Sequence, residues 1–172
     1  MALAISLAIT GHRGHPDSTG SDDMSTQEST QAERRSGTQA LIEKLLEERR
    51  QLFVLYEQVA GVEPYAEGLP SADKVSAFSQ LLMDYVAAGH FGLYERISEG
   101  KERRQRVIDA AEEAFPKIIE TTNAAVDFND TYESSGKNGL TGELAAQLPA
   151  LGELLATRIE LEDRIIEEML AR

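Results

Sequence analysis

Apolar residues recur every three or four positions over most of this chain, and no stretch shows the two-residue alternation of a half-buried strand. Glycine, proline and serine clusters divide the pattern into four long segments. The first predicted helix runs from about Thr38 to Ala60, and the second begins after Ser71 and runs to about Ser98. The third runs from about Glu102 to Tyr132, and the fourth from about Thr141 to Ala171. Long helices with short connections are typical of an antiparallel up-down four-helix bundle, so we predict an all-α fold of this kind.

Two prolines and the N-terminal end depart from this pattern. Pro116 predicts a kink in the third helix, and Pro149 predicts either a kink or a restart in the fourth. From Thr10 to Gly37 the chain is polar, so burial cannot offset the entropy lost on ordering it. We therefore predict a disordered N-terminal tail over residues 1–37 and a helical-bundle domain over residues 38–172. The sequence leaves open whether Met1 or Met24 is the true start.

The charge and the residue types exclude several classes of protein. The formal net charge is −13, which repels phosphate backbones and anionic membranes and attracts basic surfaces. We predict no direct contact with nucleic acid and favour a basic protein partner. The chain has no cysteine, so disulfides, thiolate nucleophiles and cysteine-ligated zinc are excluded. Met1–Ile9 is apolar but too short to span a bilayer, so we predict a protein without membrane association.

The second helix has two distinct faces at 100° per residue. Its inner stripe, which we assign to the core, is Phe78, Leu81, Leu82, Tyr85, Ala88, Gly89, Gly92 and Leu93. The opposite face carries Asp84, Ala87, Phe91, Tyr94 and Glu95. Aromatic side chains between carboxylates on a solvent face indicate a binding surface with an apolar centre and an acidic rim. The alternative is that a loop or the tail covers Phe91.

Polar residues interrupt the apolar stripes of the other helices, and His90 lies between the two faces of the second. Arg158 and Glu162 are four apart and can pair with each other or across the bundle. A buried charge without a partner is costly, so we predict a layer of mutually paired polar groups. The predicted structural layer comprises Glu48, Arg49, His90, Thr122, Asn129, Arg158 and Glu162.

Catalytic and metal-binding patterns are poorly represented. No phosphate-binding glycine loop is present, and His90 has no nucleophile paired with it in sequence. The alternative of a haemerythrin-like metal-binding four-helix bundle needs several histidines, but His12 and His15 both fall in the predicted tail. We predict no enzyme activity, no catalytic residue, no cofactor and no metal.

The stretch LLMDYVAAGHFGLYERI (Leu81–Ile97) resembles the signature of the Rsd/AlgQ family, regulators of sigma D, which carry Asp-Tyr-x-Ser-Ala-Gly-His-Phe-x-x-Tyr-Glu. Glu48–Pro64 and Leu151–Leu170 are similar to the first and last helices of that family, and Val126–Glu133 more loosely to the end of its third. The similarity covers about Leu41 to Leu170. This chain departs from the family at Ala87, where members have serine, and near Leu45, where they have tryptophan.

The resemblance implies a cytoplasmic anti-sigma factor. Such a protein binds region 4, the C-terminal domain of the housekeeping sigma-70 factor, and keeps it from RNA polymerase and the −35 element. We expect a monomer that forms a 1:1 complex with sigma. The resemblance implies sigma contacts at Asp84, Ala87 and Phe91. A helical adaptor with a different protein partner is a further alternative.

Overall fold

The computed structural model describes residues 23–62, 64 and 69–171. The helices are α1 (Asp23–Ala60), α2 (Ala72–Ala88), a π-helical segment (Gly89–Tyr94), α3 (Glu95–Ser98), α4 (Gln105–Ser134) and α5 (Gly142–Leu170). No strand occurs within the described ranges, so the predicted all-α class is confirmed. No described helix combines the length and the apolar character needed to cross a membrane.

Helix α1 begins at Asp23, well before the predicted start at Thr38. Asp23–Gly37 has no proline, and extending an existing helix adds one hydrogen bond for each residue that is fixed. The rest of the predicted tail, residues 1–22, lies outside the described residues. The chain divides into two units between Ala40 and Leu41, and the bundle described below is the unit that begins at Leu41.

Capping residues set the ends of the other long helices. Ser71 precedes α2, and its side chain accepts a hydrogen bond from the backbone N–H of Lys74 at 3.4 Å. Thr141 precedes α5 and accepts from the N–H of Leu144 at 3.3 Å. Helix α4 continues through Pro116 and α5 through Pro149, so Pro149 does not mark a restart.

Successive helices of the bundle run antiparallel. Tyr56 near the end of α1 contacts Phe78 near the start of α2, with ring centroids 6.0 Å apart. Leu41 near the other end of this part of α1 lies against Gly92. Helix α2 and its continuation contact α4 in the same antiparallel sense, through Phe78 with Phe128 and Tyr94 with Phe115. Helix α4 contacts α5 through Thr131 with Gln147 and Glu113 with Arg164. Helix α1 contacts α5 through Arg49 with Glu162 and Tyr56 with Leu148. These contacts agree with the predicted up-down order.

The core lies between these helices and includes most of the predicted inner stripe. Phe78, Leu82, Tyr85 and Leu93 are fully buried. Gly89 is buried as well, whereas Leu81, Ala88 and Gly92 are half-buried. The second helix therefore presents its predicted inner face to the bundle.

Candidate functional site

The outer ridge consists of Asp84, Ala87, Phe91 and Glu95, which are all exposed along α2, the π-helical segment and α3. Ala87, Phe91 and Glu95 follow one another at intervals of four residues. The Phe91 side chain is 63% exposed, so the described residues leave most of its ring open to solvent. An exposed aromatic ring between carboxylates has the apolar centre and polar rim of a protein–protein contact surface.

His90 supports the Phe91 ring from the side. The centroids of the two rings are 5.0 Å apart and the ring planes are inclined by 84°, an edge-to-face arrangement. His90 is itself half-buried. Its contact is therefore with the outer ridge and not with the polar groups inside the bundle.

Tyr94 does not belong to the outer ridge, and the prediction that it faces solvent is wrong. Only 5% of its surface is exposed, and its ring lies 6.5 Å from that of Phe115. The cause is the π-helical segment, in which the N–H of Glu95 bonds to the carbonyl of His90, five residues back. This wider turn brings Tyr94 onto the same face as Gly89, whereas ordinary α-helical spacing would turn it outward.

A buried network of polar side chains lies on the inner side of the same segment. Glu162 in α5 is fully buried and accepts hydrogen bonds from Arg158 Nε at 2.7 Å and Arg49 Nη2 at 3.2 Å. The Tyr85 hydroxyl donates to the same carboxylate. Arg49 also pairs with Asp163 at the edge of the bundle. One carboxylate thus joins side chains from α1, α2 and α5.

Arg158 extends this network to α4. Its Nη1 donates to the hydroxyls of Thr121 at 3.2 Å and Thr122 at 3.0 Å. Its guanidinium lies over the Tyr85 ring, 5.5 Å from the centroid. Burial, together with the negative charge of Glu162, raises the pKa of Tyr85 well above its usual range, so its hydroxyl remains a donor.

The other residues of the predicted polar layer lie apart from this network. Asn129 accepts a hydrogen bond from the Ser79 hydroxyl at 2.8 Å. Glu48 pairs with Lys44 at 3.6 Å, and His90 is on the outer side. The predicted layer residues that the structure brings together are Arg49, Thr122, Arg158 and Glu162.

Tyr85, Thr121 and Asp163 complete the network, and apolar periodicity does not single them out. Tyr85 falls in the inner stripe, where its ring predicts core packing. The usable signal is its hydroxyl, because a buried tyrosine O–H usually has a hydrogen-bond partner. Thr121 and Asp163 are recognisable only once the facing helices are aligned.

The π-helical backbone lies directly on the buried ion pair. A Cβ atom added to Gly89 would be 2.9 Å from Arg158 Nη2 and 3.3 Å from Glu162 Oε1. On the other side, a Cβ atom added to Gly92 would be 3.0 Å from Leu41 Cδ1. Both glycines therefore allow close approach of neighbouring side chains to the segment that carries Phe91.

The described part of the chain holds no group of three or more His, Cys, Asp or Glu side chains placed to bind a metal ion. The outer ridge is therefore taken as the candidate binding surface. Its aromatic centre suits an apolar pocket, and its acidic ends suit a basic rim.

Comparison with known proteins agrees with the signature in α2 and the π-helical segment. The sequence profile of the family described as Regulator of RNA polymerase sigma(70) subunit, Rsd/AlgQ, matches residues 24–170. Similar proteins include those named Regulator of sigma D from Salmonella paratyphi B, Salmonella newport and Salmonella heidelberg. Each is 32% identical over 137 residues, which span 78% of this chain and 84% of the relative. The chain therefore belongs to the Rsd/AlgQ family of regulators of the RNA polymerase sigma-70 subunit.

Proposed function

We propose that this protein is a cytoplasmic anti-sigma factor that binds region 4 of the housekeeping sigma-70 factor in a 1:1 complex. Binding would sequester region 4 from RNA polymerase and from the −35 element. We assign this activity to the predicted domain over residues 38–172 and not to the predicted tail over residues 1–37. The observation that carries the proposal is the exposed Phe91 ring between Asp84 and Glu95 in a chain of this family.

The outer ridge has the composition that a central contact needs. Aromatic side chains are frequent among the residues that contribute most to protein–protein affinity. The residues around them contribute little binding energy themselves but exclude water from the central contact. Ala87 provides a small, flat surface one turn before Phe91. Since Ala87 replaces the serine of the family signature, this position supplies no hydrogen bond, and we expect Phe91 to contribute a larger share of the affinity.

Charge supports the same partner. The net charge of −13 and the acidic ends of the ridge attract a basic domain and accelerate its association. A sigma domain that reads promoter DNA is such a domain, because it must be attracted to phosphates. An acidic partner that covers the same basic surface prevents its contact with DNA.

Binding of the purified protein to an isolated sigma region 4 fragment tests the proposal by calorimetry and by surface plasmon resonance. Phe91→Ala should weaken binding by at least about 2 kcal/mol, the range of a central aromatic contact. Asp84→Arg should weaken it by at least about tenfold, because it places a positive charge against a basic partner. Helicity and thermal melting should remain near those of the wild type, since both side chains are exposed.

Matched control substitutions lie on α4. Ile119→Ala shortens an apolar side chain that is 38% exposed, and Asp127→Arg reverses an exposed charge. Neither should alter affinity by more than about twofold if the ridge forms the interface. Unchanged affinity in both Phe91→Ala and Asp84→Arg would move the interface elsewhere. Absence of wild-type binding would leave an adaptor with another protein partner as the better proposal.

Salt dependence gives an independent measurement on the same complex. Rising ionic strength should slow association more than it accelerates dissociation, because exposed charges beyond about 10 Å are screened at 0.1 M salt. An association rate that does not respond to salt would remove electrostatic attraction from the proposal.

A further inference from the structure

We propose that the groove between α1 and α5 is a second contact surface, which binds a basic amphipathic helix of a partner protein. Three of the large apolar side chains that the structure leaves exposed line this α1–α5 groove: Leu46, Phe53 and Leu170. The groove is formed by other helices than the outer ridge. The proposal therefore does not depend on sigma binding.

The ion pair between Arg49 and Asp163 fixes which flank of α1 is turned toward α5. Leu46 precedes Arg49 by three residues and Phe53 follows it by four, so both lie on that flank. Leu170 follows Asp163 by seven residues, which places it on the flank of α5 that is turned toward α1. Exposed apolar side chains from two helices thus lie along one groove.

The apolar lining continues on α5 opposite Phe53. The contacts of α1 with α5 on either side of Phe53 are those of Arg49 and Tyr56. On the stretch of α5 between these contacts, helical spacing places Ala156 and Ile159 on the flank turned toward α1. Ala156 is exposed and Ile159 is half-buried. Single exposed apolar residues are common on folded proteins, but a set that shares one groove is typical of an interaction site.

The rim of the groove is acidic. Glu57 on α1 and Glu160 and Glu167 on α5 are exposed, and no ion pair within the described part of the chain involves them. The exposed cation on α1 between the two apolar residues is Arg50, which is paired with Glu47 at 2.8 Å. A partner with lysine or arginine beside its apolar residues complements this rim. A second copy of this chain would instead bring a second acidic rim and another net charge of −13.

The length of the groove suits a helix. Leu46 and Phe53 are seven residues apart, which is about 10.5 Å along the axis of α1. The apolar stripe of an amphipathic helix, at positions i, i+4 and i+7, covers the same distance and docks into grooves of this kind. We therefore expect the partner helix to lie along α1 and α5.

Fluorescence anisotropy with a labelled synthetic peptide tests the proposal. The probe is a helical peptide of about 18 residues, or five turns, with leucine on one face and lysine on the other. A peptide with glutamate in place of lysine is the charge control. We expect the full chain to bind the lysine peptide at least about tenfold more tightly than the glutamate peptide. No binding of the lysine peptide, or equal binding of both peptides, would overturn the inference.

Phe53→Asp and Val54→Asp are a matched pair of variants. Both side chains are 37% exposed, but Val54 is turned about 100° further around α1, away from α5. Phe53→Asp should weaken binding of the lysine peptide by at least about tenfold, and Val54→Asp should change it by less than about twofold. Circular dichroism and urea unfolding establish that both are folded. Equal affinity in the two variants would overturn the inference.

Charge reversals on exposed side chains decide the question even where Phe53→Asp fails to fold. Glu160→Arg combined with Glu167→Arg should weaken binding of the lysine peptide by at least about tenfold. Asp127→Arg combined with Asp130→Arg changes the net charge by the same amount on α4, and should weaken binding by less than about threefold. Equal losses would show attraction to the net charge alone and overturn the proposed site.

Two other occupants of the groove are outcomes of the same experiments. Saturating sigma region 4 should leave the lysine peptide bound, and displacement of the peptide would overturn the separate surface. Sedimentation equilibrium should give a monomer, and a dimer that is lost in Phe53→Asp would assign the groove to a second copy. Failure of the wild type to bind sigma region 4 would remove the proposed function, whereas the peptide measurements would still decide whether the α1–α5 groove binds a basic helix.

Discussion

Replacement of Glu162 by glutamine isolates the contribution of the buried network to stability. Glu162 is fully buried, and its carboxylate accepts hydrogen bonds from both Arg49 and Arg158. Glutamine has nearly the same size and retains one acceptor oxygen, so the substitution changes charge without opening a cavity. Two guanidinium groups then remain beside a neutral amide.

The expected loss of stability in Glu162→Gln follows from the partners that each guanidinium group keeps. Arg49 keeps a charged partner in Asp163, at the edge of the bundle. Arg158 is 1% exposed and keeps only hydroxyl partners and the Tyr85 ring. Removing one partner of a buried ion pair typically destabilises a protein by about 3–5 kcal/mol. We expect the Glu162→Gln variant to fall in this range because Arg158 loses its counter-charge.

Urea unfolding followed by circular dichroism measures this loss. With a slope of about 2 kcal/mol per molar urea, a loss of about 4 kcal/mol lowers the midpoint by about 2 M. Asp163→Asn is the matched control, since its side chain also contacts Arg49 but is 49% exposed. An exposed pair contributes about 1 kcal/mol or less. A loss below about 1 kcal/mol for Glu162→Gln, or one equal to that of the control, would refute this account of the network.

Two further predictions concern contacts at the two ends of the bundle. Gly152→Ala would place a Cβ atom 2.1 Å from the Tyr56 hydroxyl. We therefore expect the substitution to destabilise the protein by about 1–3 kcal/mol, instead of the stability that alanine usually adds in a helix. The loss should be much smaller in a Tyr56→Ala background, and urea unfolding measures both values. The hydrogen bond from Arg104, opposed by partial burial, lowers the pKa of Glu102 to about 2 from its ordinary 4.5. A carboxyl whose pKa is lowered in the folded state stabilises the protein above pH 4.5. The difference in unfolding free energy between wild type and Glu102→Gln should therefore shrink as the pH falls from 4.5 towards 2. A difference that is independent of pH would contradict the pairing with Arg104.

Apolar periodicity predicts the helices well because each buried stripe must follow the helical repeat. The start of α2 after Ser71 is predictable for the same reason, since a cap has a side-chain signal as well as a pattern. The start of α1 at Asp23 has no such signal. A polar sequence without proline is compatible with both coil and helix, and its composition alone does not decide between them.

The candidate site is predictable up to the point where the helix changes its repeat. Asp84, Ala87 and Phe91 are placed outward by the ordinary α-helical spacing, and the structure agrees. Tyr94 is the last residue of the π-helical segment. No residue pattern predicts that segment, because its two glycines are equally compatible with close packing of an α-helix. Glu95 remains exposed on either spacing. The error at Tyr94 is therefore a change of phase within one helix, and it leaves the fold unaffected.

The acidic character of the chain and the acidic ends of the outer ridge make separable contributions to binding. Asp84→Arg and Asp127→Arg change the net charge of −13 by the same amount, but only Asp84 lies on the ridge. If attraction arises from net charge alone, both variants should slow association with sigma region 4 equally and leave dissociation unchanged. If the ridge makes the contact, only Asp84→Arg should accelerate dissociation, because a charge within the interface acts on the bound complex as well as on the encounter. Since Phe91 is uncharged, Phe91→Ala should raise the dissociation rate at every salt concentration without changing the salt dependence of association. These rate patterns separate the ridge from the general acidity of the chain, which sequence composition alone cannot do.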